Sequence, residues 1–571
     1  MIKNFLTFVK KNLSKKNKFR VFLYIIFDFF QSVLDLFAFS IIIPIILFVI
    51  NREFISIDNK YLNFLYLQVS PYFGDITKLL SIIFIIFLLK YIFSIFINIF
   101  QIKFTYNLTA SVRSLLLSKY LSSDYGEIFK KKSSVITNEI LFNAERAIEV
   151  FFINSLNLIK STIHVLIFVI FLLFVNFFMT LIIGLFTISF LVIYYFLIKN
   201  KILIFGKKKF EYSSIFVKHI QEIYNGFHII KLFNLEKKVY KLFREKVLNY
   251  SNILSIYKIL ITLPKVSKEI FLLVILIISY FTLNFLNYSD AYIANYIAVF
   301  GVVGLRLFPA LIFIFSTIGN IKNSQYSMEI LNKELNKFYE NNSKKYLEIT
   351  INEKIEFKNI SFNYTDKKEI FKNLNFKLEK GQIIGIRGKN GIGKSTLLKI
   401  ISGLLKPNNG EIYLDDKKLI NLENYNWNNS ISYIEQDVFL FSDTILHNIT
   451  LTDKNITKLD NSNIEHITKG INLSNFINST KDGLSTIISE NTTNLSGGEK
   501  QKIAISRALF KKSNFLLLDE SLSNIDESST IKIMQYFKTL KQKGFIIITH
   551  NKKILNVCDK IFDLENNKFE E

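Results

Sequence analysis

Six predominantly apolar stretches, each long enough to form a membrane-crossing helix, lie within the first 320 residues of this 571-residue chain. A helix needs about 20 apolar residues to cross the roughly 30 Å hydrocarbon core of a bilayer. Charged or turn-forming residues separate the stretches, which indicates six distinct helices. They lie near residues 21–50, 79–104, 150–175, 178–198, 266–286 and 291–318.

Basic residues are concentrated on one side of the predicted helices. The first 20 residues contain seven Lys or Arg and no acidic residue, and the stretch 199–258 is rich in lysine. The loop 51–75 contains only Arg52 and Lys60 as basic residues. Because Lys and Arg accumulate in cytoplasmic loops, we predict a cytoplasmic N-terminus and six crossings that return the C-terminal part to the cytoplasm. The lysine-containing stretch Phe5–Leu13 predicts an amphipathic helix at the membrane interface.

The net charge of the chain is compatible with two classes of protein. The formal net charge is +24, which by itself would suit a nucleic-acid-binding protein. Basic loops on one side of a membrane produce the same figure, so we predict a membrane protein with no nucleic-acid partner. Cys558 is the only cysteine, which excludes an intrachain disulfide and a cysteine-based zinc site.

The character of the sequence changes after about residue 345. Short β-like runs there alternate with polar helical stretches, as in an α/β domain. The region before the change is charged and rich in asparagine. We therefore predict a transmembrane domain in residues 1–320, a linker in 321–352 and an α/β P-loop nucleotide-binding domain in 353–571.

A glycine-rich loop follows the apolar run 383–386 and precedes a helical stretch. Its glycines allow backbone N–H groups to point at phosphates, Lys394 supplies a positive charge, and Ser395 supplies a hydroxyl for Mg²⁺. The pattern predicts a site for nucleotide phosphates with Mg²⁺, which many nucleotide enzymes, including kinases and GTPases, would share. The candidate binding residues are Gly388, Asn390, Gly391, Gly393, Lys394, Ser395 and Thr396.

Two carboxylates stand at the end of a second apolar run, 514–518. Asp519 can hold Mg²⁺, and Glu520 beside it can orient and polarise an attacking water. Ligands of parallel sheets bind at the carboxyl ends of the strands, so we expect these acids near the phosphate loop. A phosphate loop with an acidic strand end predicts a nucleotide hydrolase.

The third motif is Leu-Ser-Gly-Gly-Glu-Lys-Gln at 495–501, which opens a helix. Ser496, Gly497 and Gly498 would form a second anion site at a helix N-terminus, which we expect to complete the nucleotide site of another chain. With the phosphate loop and the acidic strand, this motif resembles the ABC transporter ATPases. The six-helix region resembles the type IV exporter membrane domain, so the resemblance implies an exporter-type half-transporter.

The resemblance implies roles for four more residues. Tyr364 would stack on adenine, Gln436 would reach Mg²⁺, Asp526 would lie in the loop at the dimer interface, and His550 would sense the γ-phosphate. Glu520, His550 and Gln436 are thus the expected catalytic set, and Ser395, Gln436 and Asp519 the expected metal set. The resemblance also places cytoplasmic coupling segments near 123–129 and 220–235.

One chain has one phosphate loop and one Ser-Gly-Gly motif. The resemblance implies that the two lie too far apart within a domain to hold the same ATP, so two chains would meet head to tail. Lys394 and Ser395 of one chain and Ser496 and Gly498 of the other would hold each nucleotide. A homodimer is the simplest arrangement, and a heterodimeric partner is the alternative.

Three basic residues within or beside the apolar stretches are candidate substrate contacts. A Lys or Arg at mid-membrane costs about 2.5–3.5 kcal/mol on insertion scales, so it usually faces a water-filled cavity or an acidic partner. A dimer would double these cations into a ring that suits a phosphate or diphosphate. Ion pairing with Asp28, Asp35 or Glu269 is the alternative. The candidates are Lys90, Lys265 and Arg306.

Three segments around these positions resemble the PglK-type lipid-linked oligosaccharide flippases of bacterial protein N-glycosylation. They are 32–44, 263–265 and 305–309. The resemblance implies ATP-driven movement of a polyprenyl-diphosphate-linked oligosaccharide across the bacterial cytoplasmic membrane, with the ATPase domain in the cytoplasm. A peptide, multidrug or other lipid exporter is the alternative.

Overall fold

The computed structural model describes residues 2–42, 67, 71, 76–129, 131, 133–266, 268–341, 347–364, 369–420, 422, 425–452, 458–488 and 495–570. It contains two compact units. The first comprises Met1–Leu121 and Lys132–Glu340, and the second comprises Ser122–Lys131 and Asn341–Glu571. The predicted loop 51–75 lies almost entirely outside the described residues.

The first unit is helical. Polar side chains begin individual helices: Ser14 Oγ accepts the N–H of Asn17, and Asn176 Oδ1 accepts the N–H of Met179. The α-helices of this unit are Ile2–Thr7, Lys15–Ser40, Ile76–Ser122, Ser133–Asn138, Ile153–Val175, Phe177–Asn225, Phe227–Leu232, Glu236–Val266, Lys268–Phe285 and Asp290–Asn341. Three π-helical turns lie at Phe8–Asn12, Glu139–Asn143 and Arg146–Phe152.

Four helical stretches of the described residues are long and apolar enough to cross a membrane: Lys15–Ser40, Leu80–Ser122, Val135–Val175 and Ile293–Lys322. Two shorter apolar helical stretches are Phe177–Ser189 and Leu273–Phe285. The six predicted stretches all include helical residues, although residues 43–50 of the first lie outside the described part of the chain. The structure supports a helical membrane domain, and the count of six crossings stays a prediction.

The N-terminal segment packs on the protein. Phe8 is fully buried and Leu13 is almost fully buried among residues of the first unit. The Phe8 and Phe152 ring centroids lie 5.6 Å apart. One apolar part of this segment is therefore covered by protein, and its place at the membrane interface stays a prediction.

The last helix of the first unit continues beyond the sixth apolar stretch. Asp290–Asn341 runs through two thirds of the predicted linker 321–352. Residues 321–341 are mostly polar but contain apolar side chains at helical spacing. Those that are buried are Ile321, Met328, Leu331 and Leu335. The first unit therefore extends to residue 340.

The described residues of the second unit form three β-sheets. A six-stranded sheet has the order β12-β11-β4-β10-β9-β8, in which only the β11–β12 pair is antiparallel. A four-stranded antiparallel sheet has the order β3-β2-β5-β6, and β1 pairs with β7. The strands are β1 Leu347–Glu348, β2 Lys354–Asn363, β3 Glu369–Glu379, β4 Ile383–Arg387, β5 Asn409–Leu414, β6 Lys417–Lys418, β7 Tyr425–Asn426, β8 Ile431–Ile434, β9 Phe515–Asp519, β10 Gly544–Ile548, β11 Lys560–Asp563 and β12 Lys568–Glu570.

Helices cover the parallel sheet, whose central strands β9 and β10 are buried along their whole length. Such strands read as continuous apolar runs because both faces are covered. The helices of this unit are Tyr125–Phe129, Lys394–Ile401, Ile445–Thr450, Lys458–Gly470, Ser474–Ser479, Gly497–Phe510, Glu527–Thr539 and Lys552–Leu555, with 3₁₀ turns at Asn428–Ser430 and Gly483–Ser485. The α/β class predicted for the C-terminal region agrees with this architecture.

Candidate nucleotide-binding site

The carboxyl ends of four adjacent parallel strands form the site. Sheet order places β4, β10, β9 and β8 side by side. The register pairs Ile386 with Ile548 and Ile548 with Asp519. The phosphate loop follows β4, His550 follows β10, Glu520 follows β9 and Gln436 follows β8. Lys394 and His550, which are 156 positions apart in sequence, thus reach one edge of the sheet.

Glycine is required in the phosphate loop for steric reasons. Gly388, Gly391 and Gly393 have φ values of +154°, +82° and +111°. A Cβ atom at Gly393 would lie 2.6 Å from Ile370 Cγ2. The loop therefore keeps a backbone path that side chains would block, and it leads directly into the helix Lys394–Ile401.

Lys394, His550, Glu520 and Gln436 form a connected polar cluster. Lys394 Nζ donates to the Gly388 carbonyl at 2.7 Å and lies 3.2 Å from His550 Nε2. His550 Nε2 lies 3.4 Å from Glu520 Oε1, and Gln436 Nε2 donates to Glu520 Oε2 at 2.9 Å. His550 thus links the phosphate-loop lysine to Glu520, and Gln436 binds the other oxygen of that carboxylate. A carboxylate held in this way can accept a proton from water.

Asp519 is nearly inaccessible, with 3% of its surface exposed. Its Oδ2 accepts a hydrogen bond from the Tyr433 hydroxyl at 3.0 Å. Burial, and secondly the nearby Asp519 carboxylate, raises the pKa of Tyr433. This hydroxyl therefore stays protonated and donates the hydrogen bond to Asp519. Sequence reasoning missed Tyr433. Its place became visible only from the sheet, in which Tyr433 stands opposite Leu517 and on the same face as Asp519.

The oxygen donors near this edge fit Mg²⁺. Ser395 supplies a hydroxyl, Asp519 a carboxylate and Gln436 an amide oxygen, and Mg²⁺ prefers such hard ligands together with substrate phosphates. When bound, the ion would neutralise charge on the phosphates of ATP.

Tyr364, the predicted base-stacking residue, is half-buried beside the phosphate-loop helix. Its hydroxyl lies 3.1 Å from Thr396 Oγ1. The Phe362 ring meets Tyr364 edge to face, with centroids 5.1 Å apart. Asn390 is exposed in the phosphate loop.

The Ser-Gly-Gly motif contacts a different part of the unit. Ser496 caps the helix Gly497–Phe510 and forms a reciprocal pair of hydrogen bonds with Glu499. A Cβ atom at Gly498 would lie 2.8 Å from the Asn524 carbonyl. Gly498 packs closely on Asn524, whereas Ser496 is exposed. The N-terminus of this helix therefore lies at the surface of the chain.

Asp526 caps the helix Glu527–Thr539. Its carboxylate accepts the Ser528 hydroxyl at 2.6 Å and the Ser529 N–H at 2.8 Å. These hydrogen bonds hold the pKa of Asp526 well below its usual range. Within one chain, Asp526 therefore fixes the turn after Asn524, and its role toward nucleotide stays a proposal.

In the first unit, Lys90 lies beside an acid from another helix. Lys90 Nζ is 2.7 Å from Asp35 Oδ1, and both side chains are nearly buried. These atoms form an ion pair that lacks hydrogen-bond alignment. Lys90 Nζ also lies 4.5 Å from the centroid of the Phe39 ring. The ion-pairing alternative therefore applies to Lys90.

Arg306 makes no ion pair with the described residues. Its guanidinium carbon lies 4.3 Å from the Phe39 centroid, and the residue is exposed. Lys265 belongs to the helix Glu236–Val266, but its side chain lies outside the described residues.

Sequence reasoning missed two basic residues of this region, Lys160 and His164. Lys160 Nζ is 2.9 Å from Asp28 Oδ1, and His164 Nδ1 is 3.9 Å from Asp35 Oδ2. The signal was their spacing of four within an apolar helix. Counting each Lys and Arg as +1 and each Asp as −1, the described residues of this group carry a formal charge of 3 − 2 = +1. The group comprises Asp28, Asp35, Lys90, Lys160, His164 and Arg306.

The fold and the site define a P-loop nucleotide-binding domain in one chain with a helical membrane-type unit. Residues 371–523 match the ABC transporter family. The chain is 33% identical over 359 residues to a multidrug resistance-like ATP-binding protein MdlA of Buchnera aphidicola, covering 61% of this chain and 60% of that protein. It is 36% identical over 219 residues to an ATP-dependent lipid A-core flippase of Wigglesworthia glossinidia, covering 38% and 37%.

The structure of a bacterial Atm1-family ABC exporter with ATP bound is similar over 98% of this chain and 95% of that one, with a TM-score of 0.75 and 16% identity. The fold is therefore that of an ABC exporter. The C-terminal unit is an ABC transporter ATPase domain, which confirms the resemblance drawn from the three motifs. The chain spans about 60% of the MdlA-like relative and less than 40% of the flippase.

Proposed function

We propose that this chain is an ATP-driven exporter of the bacterial cytoplasmic membrane that moves an anionic amphiphile, most specifically a polyprenyl-diphosphate-linked oligosaccharide. Six helices within residues 1–320 would cross the membrane, and the ATPase domain 353–571 would lie in the cytoplasm. The observation that carries the substrate proposal is the net positive group of charged residues in the apolar helices, in which Arg306 has no acidic partner among the described residues.

The ATP chemistry follows from the side chains at the sheet edge. Lys394 would bind the terminal phosphates and Tyr364 would stack on the base. Glu520 would accept a proton from the attacking water, while Gln436 and His550 hold that carboxylate in place. The phosphate-loop geometry and the polar cluster support this assignment.

Two chains would complete each ATP site. The open helix N-terminus at Ser496 and Gly498 suits the phosphates of a nucleotide bound to another chain. A homodimer requires no other component, since this chain contains every motif that a composite site needs.

Charge in the apolar helices supports an anionic substrate. Asp35 compensates Lys90 and Asp28 compensates Lys160, so these four residues add no net charge. Arg306 keeps a planar guanidinium with donors for two oxygens of a phosphate. We therefore assign the principal head-group contact to Arg306. Lys90 and Lys265 would be secondary contacts.

The relatives support two kinds of cargo. The flippase relative is named for lipid A-core, which favours a lipid substrate. The MdlA-like relative is named for multidrug resistance, which favours a drug exporter as the second candidate. A net positive site repels cationic drugs, and we therefore place the anionic lipid first.

Reconstituted proteoliposomes test the proposal. We expect polyprenyl-diphosphate oligosaccharide to stimulate ATP hydrolysis and to be flipped, whereas neutral phospholipids, peptides and cationic drugs do neither. Arg306→Gln should abolish flipping but keep basal ATPase activity, and Arg306→Lys should retain part of the flipping. Lys103→Gln is the matched control, because Lys103 is an exposed cation of the helix Ile76–Ser122. Stimulation and transport by cationic drugs alone would reverse the order of the two candidates.

A further inference from the structure

The short helix Tyr125–Phe129 belongs to the second unit, although in sequence it lies directly after the apolar helix Ile76–Ser122. Tyr125 is half-buried and packs against the core that contains the phosphate-loop helix. A Cβ atom at Gly126 would lie 3.6 Å from Leu405 Cδ2. This segment is therefore fixed on the ATPase domain by its own side chains.

Phe129 lies beside the proposed base-stacking residue. The centroids of Phe129 and Tyr364 are 6.1 Å apart, with 30° between the ring planes. Tyr125 stacks on Phe129 with centroids 5.7 Å apart, and Lys399 Nζ lies 4.8 Å from the Phe129 centroid. Three neighbours thus hold the Phe129 ring, yet 52% of its surface is exposed.

Half of the Phe129 surface stays open beside Tyr364. A large aromatic side chain gains stability by burial, and the stacked position leaves half of this ring open. A planar base held between two rings needs centroids about 7 Å apart, twice an aromatic contact distance. The Phe129 and Tyr364 centroids are about 1 Å closer than that, with 30° between the ring planes.

We propose that Phe129 is the second wall of the nucleotide base site, so that a purine base enters between Phe129 and Tyr364. This inference rests on the proposed role of Tyr364. Entry of the base would push the helix Tyr125–Phe129 outward by about 1 Å, which is the difference between the present centroid distance and the one that a base between the rings requires. Nucleotide binding would then act directly on a segment continuous with the apolar helix Ile76–Ser122. Stacking makes no use of base-edge hydrogen bonds, so ATP and GTP would both gain from Phe129.

The test measures equilibrium binding of a ribose-labelled fluorescent ATP by the full-length dimer without Mg²⁺, which prevents hydrolysis. We expect Phe129→Ala to weaken binding about tenfold, as loss of one base–aromatic stack does. Phe129→Trp should restore it. Competition by inorganic triphosphate, which has no base, should not change in either variant. The matched control is Phe441→Ala, since Phe441 is similarly exposed at 47% and also contacts a neighbouring ring.

Two results would overturn the inference. Phe129→Ala could bind the labelled ATP as tightly as Phe441→Ala does, or it could lose ATP and triphosphate affinity equally, as a general disturbance of the domain would cause. Tyr364→Ala separates this failure from failure of the proposed function. If Tyr364→Ala alone weakens ATP binding, only the role of Phe129 is wrong. If neither variant weakens it, the base site assigned to Tyr364 is wrong as well.

Discussion

The ion pair between Lys90 and Asp35 should stabilise the helical unit, and each partner should need the other. The two side chains are 12% and 11% exposed, with charged atoms 2.7 Å apart. Removing one partner of a buried pair leaves an uncompensated charge and costs about 3–5 kcal/mol, whereas replacing both with apolar residues is often nearly neutral. For a unit of roughly 330 residues, with an unfolding entropy of about 2.1 cal/mol/K per residue, this cost corresponds to a fall of about 4–7 °C in melting temperature.

Thermal unfolding of the purified protein in detergent checks this value. Lys90→Met and Asp35→Leu should each lower the apparent melting temperature by the amount above, and the double variant should return to within about 2 °C of the wild type. Lys103→Met, which removes an exposed cation, should leave it unchanged. A double variant that melts as low as the sum of the two single losses would show that the charges do not stabilise one another. Our account of Lys90 would then fail.

Three further predictions concern the second unit. Glu520→Gln should bind ATP and hydrolyse it about 100-fold or more slowly, because an amide cannot accept the proton of the attacking water; turnover within a few-fold of wild type would remove Glu520 from that role. Homodimers of Ser496→Arg and of Lys394→Ala should both lack ATPase activity, while purified mixed dimers should recover one working site; a mixed dimer with no activity would contradict the composite site. Burial, followed by the nearby Asp559 carboxylate, raises the pKa of Cys558 to about 12. At pH 8 its thiol therefore stays protonated, and iodoacetamide should alkylate it about tenfold or more slowly in the folded protein than in denaturant; equal rates would contradict this burial.

Local sequence was sufficient to predict the elements of the ATP site. The turn around Gly388–Gly393 needs residues without a Cβ, a strand buried on both faces reads as an apolar run, and the Ser496 cap lies next to the helix that it begins. The positive φ values and the helix cap act between neighbours in the chain, and the apolar run is visible within a single segment. The three motifs therefore identified an ABC transporter ATPase domain without any long-range information.

Tertiary structure alone decided which distant residues meet. The contact of Asp519 with Tyr433 depends on strand order, and the contacts of Lys90 with Asp35 and of Phe129 with Tyr364 depend on how separate helices and loops pack. The local sequence of each segment does not show whether these contacts form. Pairing across long sequence separations is set by the summed packing of the core, which no single stretch of residues encodes.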